Sequence, residues 1–267
     1  MQSTHDFMQR RLLCLGAAAS VLPARAQPVD TRAAIRVAAA SDLQLALPSI
    51  LAAFEQGTGL QVIVTYGASG NLARQLAQGL PMDLFMSADE ALVARLHSKG
   101  WAKDAGVVYA HGRLALAVPR EAAAGKTPPL DADLRGLEAF SAKLGTQGKF
   151  AMANPEHAPY GRAAKTALEK AGLWQALQPR LVLGENVSQA TQFVSTGAAL
   201  AGLVSVSLAG APALANSIRY MAVNPALHPP IIQRMALQAS AGAAAQQLYV
   251  YLQSESAKKI FAAHGLG

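Results

Sequence analysis

Short apolar runs alternate with longer amphipathic segments along the chain, a pattern typical of α/β proteins with mostly parallel sheets. The first three apolar runs cover residues 34–40, 61–66 and 83–87. The segments that follow them show apolar residues at helical spacing over residues 43–56, 71–78 and 89–98. This order predicts a βαβαβ unit, which is one half of a doubly wound sheet.

A second unit of the same kind is predicted beyond Gly112, on either side of a loop rich in Pro, Gly and Ala. Its predicted strands cover residues 113–118, 149–153, 181–183 and 201–206, and its predicted helices cover residues 161–171 and 188–196. A strand over 231–237 and helices over 241–253 and 256–264 then return the chain to the first unit. The predicted fold class is therefore α/β, with two doubly wound α/β lobes joined by a two-segment hinge. Lobe 1 takes residues 27–112 plus 230–267, and lobe 2 takes residues 113–229.

The first 26 residues have the pattern of a secretory signal peptide. Arg10 and Arg11 precede an apolar run over residues 12–22, and the sequence Ala-Arg-Ala ends at Ala26. This predicts cleavage after Ala26 and export, by either the general secretory or the twin-arginine route. Cys14 is the only cysteine and falls in this segment, so the mature chain is predicted to form no disulfide.

The formal net charge of +7 at pH 7 raises the question of nucleic-acid binding. The basic residues are dispersed, however, and beyond the predicted signal peptide no basic run is longer than Lys258-Lys259. A mild attraction for anions is the more economical interpretation, and no nucleic-acid partner is predicted.

Ser69 lies in the stretch Gly67-Ala68-Ser69-Gly70-Asn71, where a predicted strand gives way to a helix. A nucleophile elbow requires the pattern G-x-S-x-G, and Asn71 stands where the second glycine would be. An exported serine hydrolase using Ser69 stays open as an alternative, provided that a histidine lies beside the hydroxyl. The histidines show no metal-ligand spacing, and no phosphate-binding glycine loop is present, so no metal or nucleotide cofactor is predicted.

A small or hydroxyl residue recurs where a predicted strand ends and a helix begins. The four stretches are Ala40-Ser41, Ser69-Gly70, Pro159-Tyr160-Gly161 and Asn186-Val187-Ser188. Each helix N-terminus presents unpaired N–H groups and can hold an anion without a charged side chain. Such residues are also ordinary helix caps, and the Ser41/Gln44 and Asn186/Gln189 pairs have capping-box spacing. Four termini in two lobes of an exported protein favour anion binding.

Four sequence motifs, in this order, closely resemble the periplasmic molybdate-binding proteins of molybdate ABC transporters. They are VAAASDL at residues 37–43, YGASGNLARQLAQGLPMDLFMSADE at 66–90, ANPEHAPYG at 153–161 and GENVSQA at 184–190. The resemblance runs from about residue 34 to about residue 265. It implies a type II periplasmic-binding-protein fold that closes on molybdate or tungstate, a monomer in the periplasm, and a membrane permease as partner.

The resemblance also implies which residues hold the oxyanion. Ser41 and Ser69 would donate hydroxyl groups from lobe 1, with support from the amide of Asp42. Tyr160 would donate its phenol from lobe 2, and Val187 its backbone N–H. Some family members place a tyrosine at the position of Ser205, so the role of Ser205 stays open. No residue is implied to bind a metal cation directly, and the protein is not expected to be an enzyme.

The direction of the Asp42 side chain distinguishes two kinds of candidate anion. Molybdate is a dianion at neutral pH and only accepts hydrogen bonds, so a carboxylate aimed into the cavity would repel it. We expect that the Asp42 side chain turns away or caps the helix, so that only its amide serves the anion. If it points into the cavity, a protonated or otherwise different anion, such as phosphate, sulfate or an organic carboxylate, becomes the alternative ligand.

Overall fold

The computed structural model describes residues 34–122, 125–144 and 148–267. The predicted signal peptide, its cleavage site and Cys14 lie outside these residues. Within them, no helix is long and apolar enough to span a membrane.

The first sheet and its helices form what we call the first lobe. In chain order these elements are β1 (Ile35–Ala40), a 3₁₀ turn (Ser41–Leu43), α1 (Leu47–Thr58), β2 (Val62–Gly67), α2 (Ser69–Ala77), β3 (Leu84–Ser87), α3 (Glu90–Ser98) and β4 (Val107–Gly112).

The second sheet and its helices form the second lobe. They are β5 (Leu114–Pro119), α4 (Leu137–Lys143), β6 (Phe150–Ala153), α5 (Pro159–Lys170), α6 (Trp174–Leu177), β7 (Leu181–Gly184), α7 (Val187–Ser195), β8 (Ala201–Ser205), α8 (Val206–Ala209) and β9 (Ile218–Ala222). Short 3₁₀ turns lie at Gln178–Arg180, Pro212–Leu214 and Pro225–Leu227. The chain then returns to the first lobe with β10 (Ile231–Leu237), α9 (Ala243–Tyr251) and α10 (Glu255–Ala263).

The two sheets have the same plan. Their strand orders are β2-β1-β3-β10-β4 and β7-β6-β8-β5-β9. In each sheet the first three strands are parallel, and the fourth is antiparallel to both of its neighbours. The chain crosses between the sheets twice, after β4 and after β9. The predicted fold class is confirmed, whereas the residue limits of the lobes stay a prediction.

Apolar runs occupy the centres of both sheets because helices cover both faces. Strands β3, β5, β6 and β8 are buried at every position. In the first lobe, separate apolar clusters lie on the two faces of the sheet. One includes Phe54 and Phe261, and the other includes Leu72 and Phe85. This packing brings the carboxyl ends of β1 and β2 to the edge that faces the second lobe.

The predicted helix over residues 43–56 is wrong at its start. Residues 41–43 form a 3₁₀ turn, and α1 begins only at Leu47. Pro48 explains the difference, because it lacks an N–H and is tolerated in the first turn of a helix but not in its interior. Sequence patterns also missed the edge strands β4 and β9 and the short helices α4, α6 and α8.

Candidate functional site

The residues selected from the sequence converge on one small cavity between the lobes. The cavity is lined by Ala40, Ser41, Asp42, Gly67, Ala68, Ser69, Ala88, Ala158, Pro159, Tyr160 and Val187. Its volume, measured as the space open to the centre of a water molecule, is about 10 Å³. This small volume indicates that the lobes are closed around the site.

Ser41 and Ser69 reach the cavity because Ser41 directly follows β1, and Ser69 follows β2 after one residue, Ala68. Ser41 begins the 3₁₀ turn after β1, and Ser69 is the first residue of α2. Their side chains are buried, and the Ser69 hydroxyl accepts a hydrogen bond from the Ala88 N–H at 3.0 Å. A hydroxyl that accepts one bond still has a proton to donate, so Ser69 can serve an anion in the cavity.

Neither serine caps its helix. The N-cap of α2 is Ala68, and no side chain caps the 3₁₀ turn that begins at Ser41. The proposed Ser41/Gln44 capping box is therefore wrong. The Gln44 side chain instead reaches across the cleft, where its Oε1 accepts from the Ser188 hydroxyl at 2.6 Å.

The second lobe contributes the first turns of α5 and α7. Tyr160 follows Pro159 at the start of α5, and Val187 begins α7. The predicted cap at Asn186 is confirmed, since its side chain accepts from the Gln189 N–H at 3.1 Å. N–H groups in a first helical turn have no partner within the helix, so those of Tyr160 and Val187 are available to a bound anion.

Asp42 differs from the expectation. Its carboxylate neither caps a helix nor turns into solvent, because the residue is only 1% exposed and lines the cavity. The Oδ2 atom accepts from the Tyr160 hydroxyl at 3.0 Å and from the Gln233 amide at 2.5 Å. Among the described residues, Oδ1 has no hydrogen-bond partner. The phenol expected to serve the anion is therefore bound to a carboxylate from the opposite lobe.

Burial dominates the electrostatics of this contact. It raises the pKa of Asp42 from 3.8 to about 6, although the hydrogen bonds from Gln233, Tyr160 and its own amide oppose the rise. Burial, followed by the nearby Asp42 charge, also raises the pKa of Tyr160 and Tyr109 well above 10. Both phenols are thus neutral donors at physiological pH.

Sequence patterns did not identify two further polar residues near Asp42, which are Gln233 and Tyr109. Both lie on strands of the first sheet, and the Gln233 side chain is fully buried. A polar residue at an inward position of the apolar run IIQRMAL was the signal that could have identified Gln233. Ser205 does not line the cavity, because its hydroxyl caps α8 by accepting from the Leu208 N–H at 3.3 Å.

The neighbourhood of Ser69 does not resemble a hydrolase site. None of the described histidines lines the cavity. His157 lies in the loop before α5, and its ring Nε2 is 2.9 Å from the Glu185 carbonyl oxygen. In the described parts of the chain, no group of three His, Cys, Asp or Glu residues could hold a metal ion.

Several further contacts cross the cleft. The Gly70 N–H donates to the His157 carbonyl at 3.0 Å, and the Ser207 hydroxyl donates to the Asp42 carbonyl at 2.9 Å. Arg162 pairs with Asp89 at 2.5 Å. These bonds hold the second lobe against the first on several sides of the cavity.

Comparisons with known proteins identify a protein family that this chain matches. Residues 35–267 match the family model for bacterial extracellular solute-binding proteins. The molybdate-binding protein ModA of Azotobacter vinelandii is 31% identical over 97% of this chain and 98% of its own length. ModA of Escherichia coli is 30% identical over 86% of this chain and 88% of its own.

A solved structure is also similar. The periplasmic molybdate-binding protein of Azotobacter vinelandii superimposes with a TM-score of 0.75 at 28% identity, covering 87% of this chain and 98% of that one. This likeness extends over both sheets and the cleft between them. The chain therefore belongs to the family of bacterial extracellular solute-binding proteins.

Proposed function

We propose that the protein binds molybdate, and also tungstate, in the cavity between its lobes and delivers it to the permease of an ABC transporter. The observation that carries this proposal is the convergence of Ser41, Ser69, Tyr160 and Val187 on one cavity. All four offer uncharged N–H or O–H donors, and no Lys or Arg of the described ranges lines the cavity. A tetrahedral dianion with four acceptor oxygens fits such a set of donors.

The resemblance to molybdate-binding proteins supports this ligand and a monomeric state, and the predicted signal peptide supports a periplasmic location. The surroundings of Ser69 support binding without catalysis, since its hydroxyl accepts from a backbone N–H and none of the described histidines lines the cavity. A hydrolase would need a base to activate that hydroxyl.

The Asp42 carboxylate favours a second candidate ligand, a phosphate-like anion that carries a proton. Its Oδ1 atom is buried, has no hydrogen-bond partner among the residues that the structure describes, and could accept that proton. This candidate and the molybdate proposal make opposite predictions about anion selectivity.

Isothermal titration of the mature protein with molybdate, tungstate, sulfate and phosphate tests both. We expect saturable binding of molybdate and tungstate with dissociation constants of about micromolar or lower. Ser69→Ala should weaken molybdate binding by about tenfold to a hundredfold, because one hydrogen bond to a charged ligand is lost. Ser98→Ala, an exposed position on α3, is the matched control. Binding of phosphate without any response to molybdate would refute the proposal.

A further inference from the structure

The Asp42 carboxylate connects the proposed anion site to a buried polar cluster beneath it. The cluster consists of Asp42, Tyr109, Tyr160 and Gln233. Asp42 Oδ2 receives two hydrogen bonds from this cluster, whereas Asp42 Oδ1, the Tyr109 hydroxyl and Gln233 Oε1 have no partner among the described residues. Burying a carboxylate costs free energy unless a compensating partner, such as a cation, lies beside it.

No cation compensates the carboxylate in the described part of the chain. Helices α7 and α8, which pack on the 3₁₀ turn, contain no titratable residue. The titratable residues of the other surrounding elements are Tyr66 on β2, Tyr109 and the exposed His111 on β4, and Tyr160, Arg162, Lys165, Glu169 and Lys170 on α5. On β10, Arg234 pairs with Glu90, and on α5 Arg162 pairs with Asp89. The groups that act on the carboxylate are thus neutral phenols and an amide.

The Tyr160 hydroxyl has one proton and two acceptors that compete for it. In the structure it donates to Asp42 at 3.0 Å. A phenol has a single O–H, so it cannot donate to Asp42 and to a bound oxyanion at the same time. When the oxyanion accepts the Tyr160 hydrogen bond instead, the Asp42 carboxylate loses one of its donors and has a dianion as its neighbour.

We propose that Asp42 is a positioning residue for Tyr160 and takes up one proton from solvent each time the site binds an oxyanion. This inference rests on the proposed function, and it deepens it. The proton goes to the carboxylate, and the resulting carboxylic acid donates it to the Tyr160 oxygen. The Tyr160 hydroxyl then turns its own proton to the anion, and no bond within the anion breaks.

The electrostatics fit this sequence of events. The pKa of Asp42 is about 6 in the closed structure, so the carboxylate is ionised at neutral pH before the anion arrives. Loss of the Tyr160 hydrogen bond and the approach of a dianion both raise that pKa further. The neutral acid then removes the repulsion that would otherwise exclude a dianion from a cavity lined by Asp42.

Titration calorimetry of the mature protein with molybdate in two buffers of different ionisation heat, HEPES and Tris, measures the proton directly. At about pH 7.5 we expect uptake of about 0.5 to 1 proton per anion. Affinity should fall as pH rises from about 6.5 to about 8.5, by at most about tenfold per pH unit, because the empty site then holds fewer protons than the loaded one.

Asp42→Asn keeps an acceptor for Tyr160 but cannot ionise, so its proton uptake should fall to near zero and its affinity should become independent of pH. Asp104→Asn, an exposed carboxylate outside the cavity, is the matched control and should retain the uptake. Wild-type binding of molybdate with equal heats in both buffers would overturn this inference and leave the proposed function standing. Absence of molybdate binding at every pH would overturn both. The wild-type measurement decides the matter even if Asp42→Asn does not fold.

Discussion

At the scale of single residues, Asp42 places a carboxyl group where folding removes its water and where the described residues supply no cation. The residue is 1% exposed, and burial is the main reason why its pKa rises to about 6. Because the folded chain binds this proton more tightly than the unfolded chain does, Asp42 favours folding only at low pH. That stability is present below about pH 3.8 and is lost as the pH rises through about 6.

We expect Asp42→Asn to raise the free energy of unfolding of the ligand-free protein at neutral pH; the upper limit of about 3 kcal/mol applies to the closed form, because opening returns water to the carboxylate. The asparagine retains a carbonyl acceptor for Tyr160 and Gln233 and removes the buried charge. Urea unfolding at about pH 7.5 and about pH 4 measures the effect, which should nearly vanish at the lower pH. Equal stabilisation at both pH values would contradict this account.

The positions of Ser41, Ser69 and Val187 could be predicted from the sequence, because each comes within three residues of the carboxyl end of a parallel strand. The hydrogen-bond partner of Tyr160 could not be predicted. Its contact with Asp42 joins residues 118 positions apart and depends on how the two lobes meet, which no local pattern encodes. The resemblance to a known family selected Tyr160 correctly for the cavity, but it gave no reason to expect the carboxylate contact.

At the scale of elements, periodicity predicted all the parallel strands of both sheets and missed the antiparallel edge strands β4 and β9. Strand β9 is exposed at Arg219, Tyr220 and Met221, so its sequence has no clear alternation. The start of α1 depended on Pro48, whose effect is steric and not a matter of hydrophobic spacing. The first turn of α2 requires a glycine, Gly70, for a reason that hydrophobic spacing also does not reveal.

A Cβ atom at Gly70 would lie 2.5 Å from the carbonyl oxygen of His157 in the opposite lobe. We expect Gly70→Ala to weaken molybdate binding by about tenfold or more, since the lobes could not close without displacing backbone. The unfolding free energy of the ligand-free protein should change little, because alanine suits a helix.

Gly57→Ala is the matched control, since Gly57 also lies in a helix and a Cβ atom there would meet nothing within 4 Å. Calorimetric titration and thermal unfolding of both variants make the comparison. Unchanged affinity in Gly70→Ala would show that closure does not require this contact.

At the scale of the whole molecule, the structure is a closed state that must open to admit a ligand. The cavity is small, and bonds such as Gly70–His157 and Arg162–Asp89 hold the lobes together around it. Opening at the two crossings between the sheets would break these bonds and leave each lobe intact.

We expect small-angle X-ray scattering to give a larger radius of gyration for the ligand-free protein than for the protein saturated with molybdate. The physical reason is that a bound anion supplies acceptors for donors from both lobes and so favours the closed state. Gly70→Ala should contract less than Gly57→Ala. Identical scattering with and without molybdate would argue against ligand-driven closure.

The position of strand β10 in the sequence limits the order in which the two sheets can form. It lies between β3 and β4 in the first sheet, yet it follows the whole second lobe in the sequence. During synthesis, the second sheet can therefore assemble from a continuous stretch, whereas the first must wait with β3 and β4 unjoined. Pairings between distant segments form slowly and leave strand edges open to wrong partners. The serines of the anion site thus belong to the lobe that is completed last.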